Sequence, residues 1–300
     1  MEVILASPRG FCAGVVRAIE VVEICLIRYG PPVYVKHQIV HNDYVVSSLE
    51  KKGAITVEEV DDIPIGSRVV FSAHGSPPKD YESAANRKLD VIDATCPLVT
   101  KVHKEAVRYE SQQRRIIMIG HKGHQEVRGT MGQVPMVLMD DREKSRLPAW
   151  DKDTPISILT QTTLSVDDTA QAIKQVKNTF TNVEVRNDLC YATTNRQESV
   201  KKLSKLVDII FVIGSKNSSN CNRLREVSES QGIPAYLING PDKMKLEWLK
   251  GVSRVGITSG ASTPERLVES VIDVIKPAEV TTLSGIDENV SFVLPKTLRE

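Results

Sequence analysis

A threefold repeat is the feature that most constrains how this 300-residue chain can fold. A short apolar strand pattern, a polar loop that ends in cysteine and an amphipathic helix pattern follow one another three times. The segments that lead into the three cysteines are EVILASPRGFC, LDVIDATC and VEVRNDLC. Repetition of one supersecondary unit predicts three similar lobes.

A constant spacing relates the three units. The residue 25 positions after each cysteine follows a second apolar strand pattern, and it is in turn His37, His121 and Ser215. Strands that alternate with helices predict parallel α/β units. Ligands of open parallel sheets bind at the carboxyl ends of strands. We expect an α/β fold of three similar units with mostly parallel sheets, arranged around a pseudo-threefold axis. The three cysteines of the repeat would then point towards one centre.

The predicted lobes begin at the cysteines of the repeat. The expected segments are an N-terminal strand with its cysteine loop, lobe 1, lobe 2, lobe 3 and a C-terminal arm, at residues 1–12, 13–95, 96–189, 190–277 and 278–300. The sequence VSFVLPKTL in the arm is expected to form a strand or an extended segment that packs back over the lobes.

Composition argues against several classes of protein. The net charge is +1, so no basic excess indicates a nucleic-acid partner. No apolar run approaches the ~20 residues that span a bilayer, and the first residues are too short and wrongly flanked for a signal peptide. We therefore expect a bacterial cytoplasmic protein without a membrane partner, or a plastid protein only if a transit peptide is missing from the sequence.

Cys12, Cys96 and Cys190 occupy equivalent points of the repeat, which makes them a candidate metal site. A structural zinc site usually takes four ligands in close pairs, and the chain has no C-x-x-C pair, although a site of three cysteines and a histidine stays open. A [4Fe-4S] cluster normally takes four cysteines. With three, one iron keeps an open position that can bind and polarise a substrate oxygen.

The alternative to a metal site is that the cysteines are buried core residues. The odd total of five cysteines does not suggest a secreted disulfide scaffold. Cys25 falls within the first helix pattern, near its apolar face, and is expected to be a core residue. Cys221, beside the polar loop of the third unit, is expected to be a bystander, with a competing ligand or an oxidation site as the alternatives.

Polar loops follow the strands of all three units and supply mostly neutral or titratable hydrogen-bond donors. Many are expected at helix N-termini, where free backbone N–H groups favour phosphate. This pattern suits a compact anion such as a diphosphate, although a single serine-rich loop is more often a helix cap. The candidate donors are His41, His74, His124, Thr162, Ser218, Ser219, Asn220 and Ser262.

Glu126 is the carboxylate among these donors. Near a metal and an anion, a carboxyl group can deliver protons as a general acid. The alternative is a helix-terminal glutamate in a solvated salt bridge, and the residues alone leave both interpretations open.

Longer motifs connect the chain to a known family. Together they closely resemble 4-hydroxy-3-methylbut-2-enyl diphosphate reductase, the iron–sulfur enzyme family that completes the methylerythritol phosphate route to isoprenoid precursors. The resemblance extends from residue 1 to about residue 295. The motifs are SPRGFCAGV, DATCPLVTKVH, GHKGHQEVRGTMGQ, LTQTTLSVDDT, CYATTNRQE and GSKNSSNCNRL.

The resemblance implies a residue-level site. It implies a trefoil of three α/β lobes around a central [4Fe-4S] cluster. The cluster would be ligated by Cys12, Cys96 and Cys190, with the fourth position open to substrate. Glu126 would be the proton source, with protons relayed through His124, Thr162 or the diphosphate itself. The residues implied to hold the diphosphate are His41, His74, His124, Ser218, Ser219, Asn220 and Ser262, with Thr162 ordering hydroxyl groups and water beside the substrate.

The implied reaction is reductive dehydroxylation of (E)-4-hydroxy-3-methylbut-2-enyl diphosphate to isopentenyl and dimethylallyl diphosphates. Two electrons and protons are consumed, and the family expectation for the donor is ferredoxin or flavodoxin. Cys221 stands where many family members carry serine. Two rival functions differ in testable ways: a hydro-lyase works without an electron donor, and an electron carrier needs no enclosed polar pocket.

Overall fold

A computed structural model describes residues 1–140, 142–143, 147–186 and 188–299. Glu300, the last residue of the predicted arm, lies outside the described residues. The chain divides into two compact units. The first unit is Met1–Val15, His41–Val45 and Cys190–Ser291, and the second unit is Val16–Val40, Val46–Leu189 and Phe292–Glu300. The lobe boundaries expected from the repeat stay predictions.

Strands and helices alternate along the described chain. The strands are β1 (Glu2–Leu5), β2 (Val33–Lys36), β3 (Ala54–Val57), β4 (Arg68–Phe71), β5 (Asp90–Asp93), β6 (Arg115–Ile119), β7 (Val137–Met139), β8 (Ile156–Thr160), β9 (Val183–Val185), β10 (Ile209–Ile213), β11 (Ala235–Ile238), β12 (Arg254–Ser259) and β13 (Glu279–Thr282). The α-helices are α1 (Ala13–Tyr29), α2 (Asp43–Glu50), α3 (Pro78–Asn86), α4 (Pro97–Ser111), α5 (Gln125–Met131), α6 (Val166–Thr179), α7 (Tyr191–Leu203), α8 (Ser219–Ser230) and α9 (Glu265–Ile275).

The strands form three sheets. The first unit contains the sheet β11-β10-β12-β1-β13, and the second unit contains the sheets β3-β2-β4-β5 and β7-β6-β8-β9. Each pairing between described strands is parallel. The predicted α/β class with mostly parallel sheets is therefore confirmed.

The spacing of 25 residues found in the sequence marks the same structural point in each sheet. His37 follows β2 directly, and His121 and Ser215 come two residues after the ends of β6 and β10. The later polar loops also start at strand ends, after β4, β8 and β12. The carboxyl ends of parallel strands therefore carry the candidate residues, as ligand sites of open α/β sheets do.

The first and the last strand of the described chain pair with each other in one sheet. β1 lies between β12 and β13, with Val3 opposite Val255 on one side and Val280 on the other. The sequence VSFVLPKTL was expected to form a strand or an extended segment, and the strand is wrong. Residues 290–295 are irregular and lead into a short 3₁₀ turn, Lys296–Leu298, whose Leu298 is buried. The C-terminal strand lies earlier, at β13.

Helix α1 shows how the repeat builds its core. Its Val22 is fully buried and its Leu26 nearly so, as the amphipathic pattern predicts. Cys25 on the same helix is fully buried, which confirms that it is a core residue. Within the described residues, no helix has the length and apolar character needed to cross a membrane.

Candidate active site

Each cysteine of the repeat directly precedes a helix. Cys12 comes before α1, and Cys96 and Cys190 are the N-cap residues of α4 and α7. Proline at the first position of α4 explains why that helix starts where it does. A helix N-terminus stabilises a thiolate because its free N–H groups and dipole favour negative charge. Cys190 shows this directly, since its Sγ accepts the backbone N–H of Thr193 at 3.3 Å.

Burial separates these three cysteines from the other two. Cys12, Cys96 and Cys190 are partly exposed, whereas Cys25 and Cys221 are fully buried, and the structure records no disulfide among the five. Among the described residues, no group of three or more His, Cys, Asp or Glu side chains is arranged to hold a metal ion. The three-cysteine ligand set stays a prediction, but these are the accessible thiols.

In the first unit, the serine-rich loop forms a helix N-terminus. Ser218 is the N-cap of α8, and its Oγ accepts the backbone N–H of Cys221 at 3.3 Å. Ser219 and Asn220 open the helix, and all three side chains are buried. Both polar atoms of the Asn220 side chain are buried, and no described residue forms a hydrogen bond with either of them. Because buried polar groups are nearly always paired, this amide is poised to bind a polar ligand.

His41 and Ser262 are also held together within the first unit. The Ser262 hydroxyl donates to the backbone carbonyl of His41 at 3.0 Å. His41 lies two residues before α2, and Ser262 lies three residues before α9. The loop after β12 therefore fixes the backbone at His41, far away in sequence.

In the second unit, Glu126 and Thr162 form a buried pair. Glu126 Oε1 accepts the backbone N–H of Thr162 at 2.6 Å, and Oε2 lies 3.0 Å from the Thr162 hydroxyl. Glu126 is only 3% exposed, so the solvated salt bridge considered from sequence is wrong. The pair joins the start of α5 to the loop after β8.

Two histidines flank this pair. His124 is the N-cap of α5, and its Nδ1 accepts the backbone N–H of Glu126 at 3.2 Å. An accepting Nδ1 assigns the proton of the neutral ring to Nε2, which is therefore a donor. The ring of His74 stands edge-on to that of His124, with centroids 6.2 Å apart.

Burial makes Glu126 a weak acid. Desolvation raises the pKa of its carboxyl to about 7, although the backbone and hydroxyl bonds from Thr162 lower it, and the nearby Asp188 raises it further. A carboxyl group with this pKa is about half protonated at neutral pH, which is the property that a general acid needs.

The raised pKa predicts how stability depends on pH. The unfolded state ionises near pH 4.5 and the folded state near pH 7, so between these values the folded chain holds the extra proton. The free energy of unfolding therefore falls as the pH rises through this window, by up to about 3 kcal/mol from this group alone. Urea unfolding of the metal-free chain should show the full fall in wild type and a smaller fall in Glu126→Gln, in which the raised pKa of Asp188 still contributes. Glu110→Gln, at an exposed position of α4, should keep the wild-type dependence of the unfolding free energy on pH. The same pH dependence in all three proteins would contradict the assigned pKa.

Gly129 allows helix α5 to approach the loop that carries His74. A Cβ at Gly129 would lie 2.8 Å from the carbonyl oxygen of Gly75, the residue after His74. Glycine to alanine within a helix normally stabilises by about 1 kcal/mol. Here we expect Gly129→Ala to destabilise instead, by about 1–3 kcal/mol, because backbone must move. Denaturant unfolding measures this loss of stability as a lower midpoint concentration at an unchanged m-value. A higher midpoint in the variant would contradict the close packing.

The structure divides the sequence-predicted residues between the two units. The first unit holds Cys12, His41, Cys190, Ser218, Ser219, Asn220 and Ser262, and the second holds His74, Cys96, His124, Glu126 and Thr162. Sequence reasoning missed Asp188, which is buried and whose pKa is raised by burial to about 6. The sequence signal that could have indicated Asp188 is its position, two residues before the third cysteine of the repeat.

Cys221 lies among core side chains. It packs with Val212 and Leu224 and is fully buried. Burial raises the pKa of its thiol, although Ser218 and Thr263 lower it through hydrogen bonds. A buried, protonated thiol is a poor metal ligand, which agrees with its interpretation as a bystander.

Comparison with known proteins places the chain among one group of enzymes. The family model described as LytB protein matches residues 3–276. The chain is 52% identical over 305 residues to 4-hydroxy-3-methylbut-2-enyl diphosphate reductase 2 of Bradyrhizobium diazoefficiens, with 99% of each chain covered. It is 53% identical to 4-hydroxy-3-methylbut-2-enyl diphosphate reductase 1 of Rhodopseudomonas palustris, with 98% of each chain covered. The solved structure of E-1-hydroxy-2-methyl-but-2-enyl-4-diphosphate reductase from Plasmodium falciparum is similar at TM-score 0.94 and 39% identity, covering 99% of this chain and 96% of that one.

Proposed function

Because the chain belongs to the LytB protein family, we propose that it reductively removes the hydroxyl group of (E)-4-hydroxy-3-methylbut-2-enyl diphosphate. The products are isopentenyl and dimethylallyl diphosphates, with water as the second product. The observation that carries the proposal is the buried Glu126–Thr162 pair, in which a carboxyl group with a pKa of about 7 is held in fixed geometry. Removing a hydroxyl group as water needs such a proton donor.

Cys12, Cys96 and Cys190 are the proposed ligands of a [4Fe-4S] cluster with one open iron. Their chemistry fits, because thiolates are the normal ligands of such clusters, and each is partly exposed and immediately precedes a helix. When bound, the cluster supplies single electrons and a Lewis-acidic iron position for the substrate. The remaining steps are assigned to the side chains of the chain itself.

Binding of the diphosphate is assigned to neutral donors. In the first unit these include the N-terminus of α8, where Asn220 has buried polar atoms in need of partners. Backbone N–H groups at a helix N-terminus favour phosphate. Unlike the ammonium group of lysine, they are not strongly hydrated. The assigned side chains are His41, Ser218, Ser219, Asn220 and Ser262, and His74 and His124 in the second unit.

Proton delivery is assigned to Glu126 through Thr162. The backbone N–H of Thr162 occupies Oε1, so the proton of the neutral acid lies on Oε2, which is 3.0 Å from the Thr162 hydroxyl. Oε2–H can donate to that hydroxyl, whose own hydrogen is then available to a further acceptor. Thr162 thus relays the proton from Glu126 to that acceptor, and the Glu126 carboxyl group stays buried.

The electron donor is proposed to be ferredoxin or flavodoxin, as the family resemblance implies. Turnover rates of the loaded enzyme with each reduced donor distinguish the two. The bacterial cytoplasmic location expected from the sequence stays a prediction.

The proposed function is tested by anaerobic reconstitution of the chain with iron and sulfide, followed by substrate with and without reduced viologen. We expect iron and sulfide to be bound, and both diphosphate products to appear only with the reductant. Turnover without reductant would instead support the hydro-lyase. Bound iron with no turnover under either condition would support the electron carrier.

A further inference from the structure

A cation follows each cysteine of the repeat at nearly the same distance along the next helix. Arg17 comes five residues after Cys12, and Lys101 comes five residues after Cys96. Arg196 comes six residues after Cys190. Two of these cations are buried: Arg17 is 8% exposed and Arg196 is 0% exposed. Buried arginines are uncommon because desolvating the charge is costly.

Arg17 holds the loop in front of Cys96. Its Nη1 donates to the carbonyl oxygens of Ala94 and Thr95, both at 3.1 Å, and these are the two residues before Cys96. Its Nε donates to the carbonyl of Val293 at 2.8 Å, which ties the C-terminal segment to the same group. Burial lowers the pKa of Arg17, and the charges of Asp93 and Cys96 raise it, so the guanidinium is within electrostatic reach of this thiol.

Arg196 holds the loop in front of Cys12 in the same manner. Its Nη2 donates to the carbonyl of Gly10 at 2.8 Å, two residues before Cys12. Its Nη1 bonds the Glu288 carboxylate, at 2.9 Å to Oε1, which again ties in a C-terminal segment.

The two arginines link successive units of the repeat. The helix after the first cysteine, which carries Arg17, donates to the loop before the second cysteine. The helix after the third cysteine, which carries Arg196, donates to the loop before the first.

We propose that Arg17 and Arg196 are positioning residues that fix the cysteine loops and place buried positive charge beside the thiolates. This rests on the proposed function, since it assumes that these cysteines hold a cluster. A role in fold stability alone explains Arg196 poorly, because a buried ion pair such as that of Arg196 with Glu288 contributes little net stability relative to apolar residues. Each arginine also donates to the carbonyl of at least one residue that lies one or two positions before a cysteine.

The test compares Arg17→Met, Arg17→Lys and Arg196→Met with a matched control, Arg114→Met. Arg114 is also mostly buried and donates to the backbone carbonyl of Ile156 at 2.5 Å and to the Ser157 hydroxyl at 2.7 Å, on β8. Three quantities are measured on each chain: the unfolding midpoint without metal, the rate of iron release to a chelator after anaerobic loading, and the reduction potential of the loaded protein.

Both methionine variants at the positioning residues should release iron about tenfold faster than wild type or more, as loss of an outer-shell partner does. Arg17→Met should also shift the reduction potential to a more negative value, because a cation that favours the reduced state is lost. Arg17→Lys keeps the charge and should lie between Arg17→Met and wild type. Arg114→Met should keep the wild-type release rate within about twofold and the wild-type potential, even where its unfolding midpoint falls.

Release rates and potentials of Arg17→Met and Arg196→Met equal to those of Arg114→Met would overturn the positioning role. Loading of the wild-type chain is measured first and stands apart from this comparison. Failure of wild type to bind iron and sulfide would count against the proposed function itself. Normal loading of wild type with unaffected variants would count only against the role of the arginines.

Discussion

Cys96→Ser is expected to lose most of its cluster iron and to lower turnover at least about 100-fold, since even outer-shell partners of metal sites are worth ~10–100-fold. A serine hydroxyl is a hard, protonated ligand at neutral pH, whereas iron–sulfur clusters require thiolates. Cys96 caps the N-terminus of α4 and is partly exposed, so the substitution leaves the packed core unchanged. Iron and sulfide analysis after anaerobic reconstitution measures the loss.

Cys221→Ser is the matched control for this variant. The Cys221 thiol is fully buried and accepts hydrogen bonds in a polar setting beside Ser218 and Thr263, so a hydroxyl can be accommodated there. We expect wild-type iron content from Cys221→Ser. Full iron content and turnover in Cys96→Ser, or loss of iron in Cys221→Ser, would show that the ligand set is wrong.

Glu126→Gln is expected to bind substrate with near wild-type affinity and to lower turnover by about 100-fold or more, the range that general acid catalysis contributes. The amide keeps the shape of the carboxyl group and can still pair with Thr162, but it carries no transferable proton. Wild-type turnover should fall as the pH rises above about 7, where the Glu126 carboxyl ionises. Equilibrium dialysis measures binding, and initial rates across pH measure turnover.

Glu110→Gln separates a specific effect from a general change in charge. Glu110 is exposed on α4, in the same unit as Glu126. We expect it to keep wild-type turnover and pH dependence. Near wild-type turnover in Glu126→Gln would remove Glu126 from its proposed role, whereas weakened binding with unchanged turnover would make it a binding residue only.

Much of the fold could be predicted from sequence because the repeat imposes local rules. The apolar strand patterns, the proline at the start of α4 and the polar residues after β6 and β10 all act over a few residues. Parallel pairing follows from alternation of strands and helices. The position of β1 between β12 and β13 was not predicted, because strand order joins residues from opposite ends of the chain.

The chemistry of the site depends on contacts that spacing does not encode. Glu126 and Thr162 are 36 residues apart in sequence, and their direct pairing was not predicted. The family resemblance implied Thr162 only as one of three alternative proton relays. The raised pKa of Glu126 is a consequence of burial, and the sequence left a solvated glutamate as an equal alternative. The burial of Arg17 and Arg196 could not be predicted for a similar reason, since nothing in the local sequence distinguishes a buried arginine from an exposed one.

The central claim is that the chain consumes electrons to remove a hydroxyl group, and the stoichiometry of reductant to product tests it most directly. The loaded wild-type protein is mixed anaerobically with (E)-4-hydroxy-3-methylbut-2-enyl diphosphate and a limiting amount of reduced viologen, and viologen oxidation is followed alongside product analysis. The reductive reaction predicts two viologens oxidised for each molecule of isopentenyl or dimethylallyl diphosphate formed. Product formed without oxidation of viologen, or oxidation without either product, would contradict it.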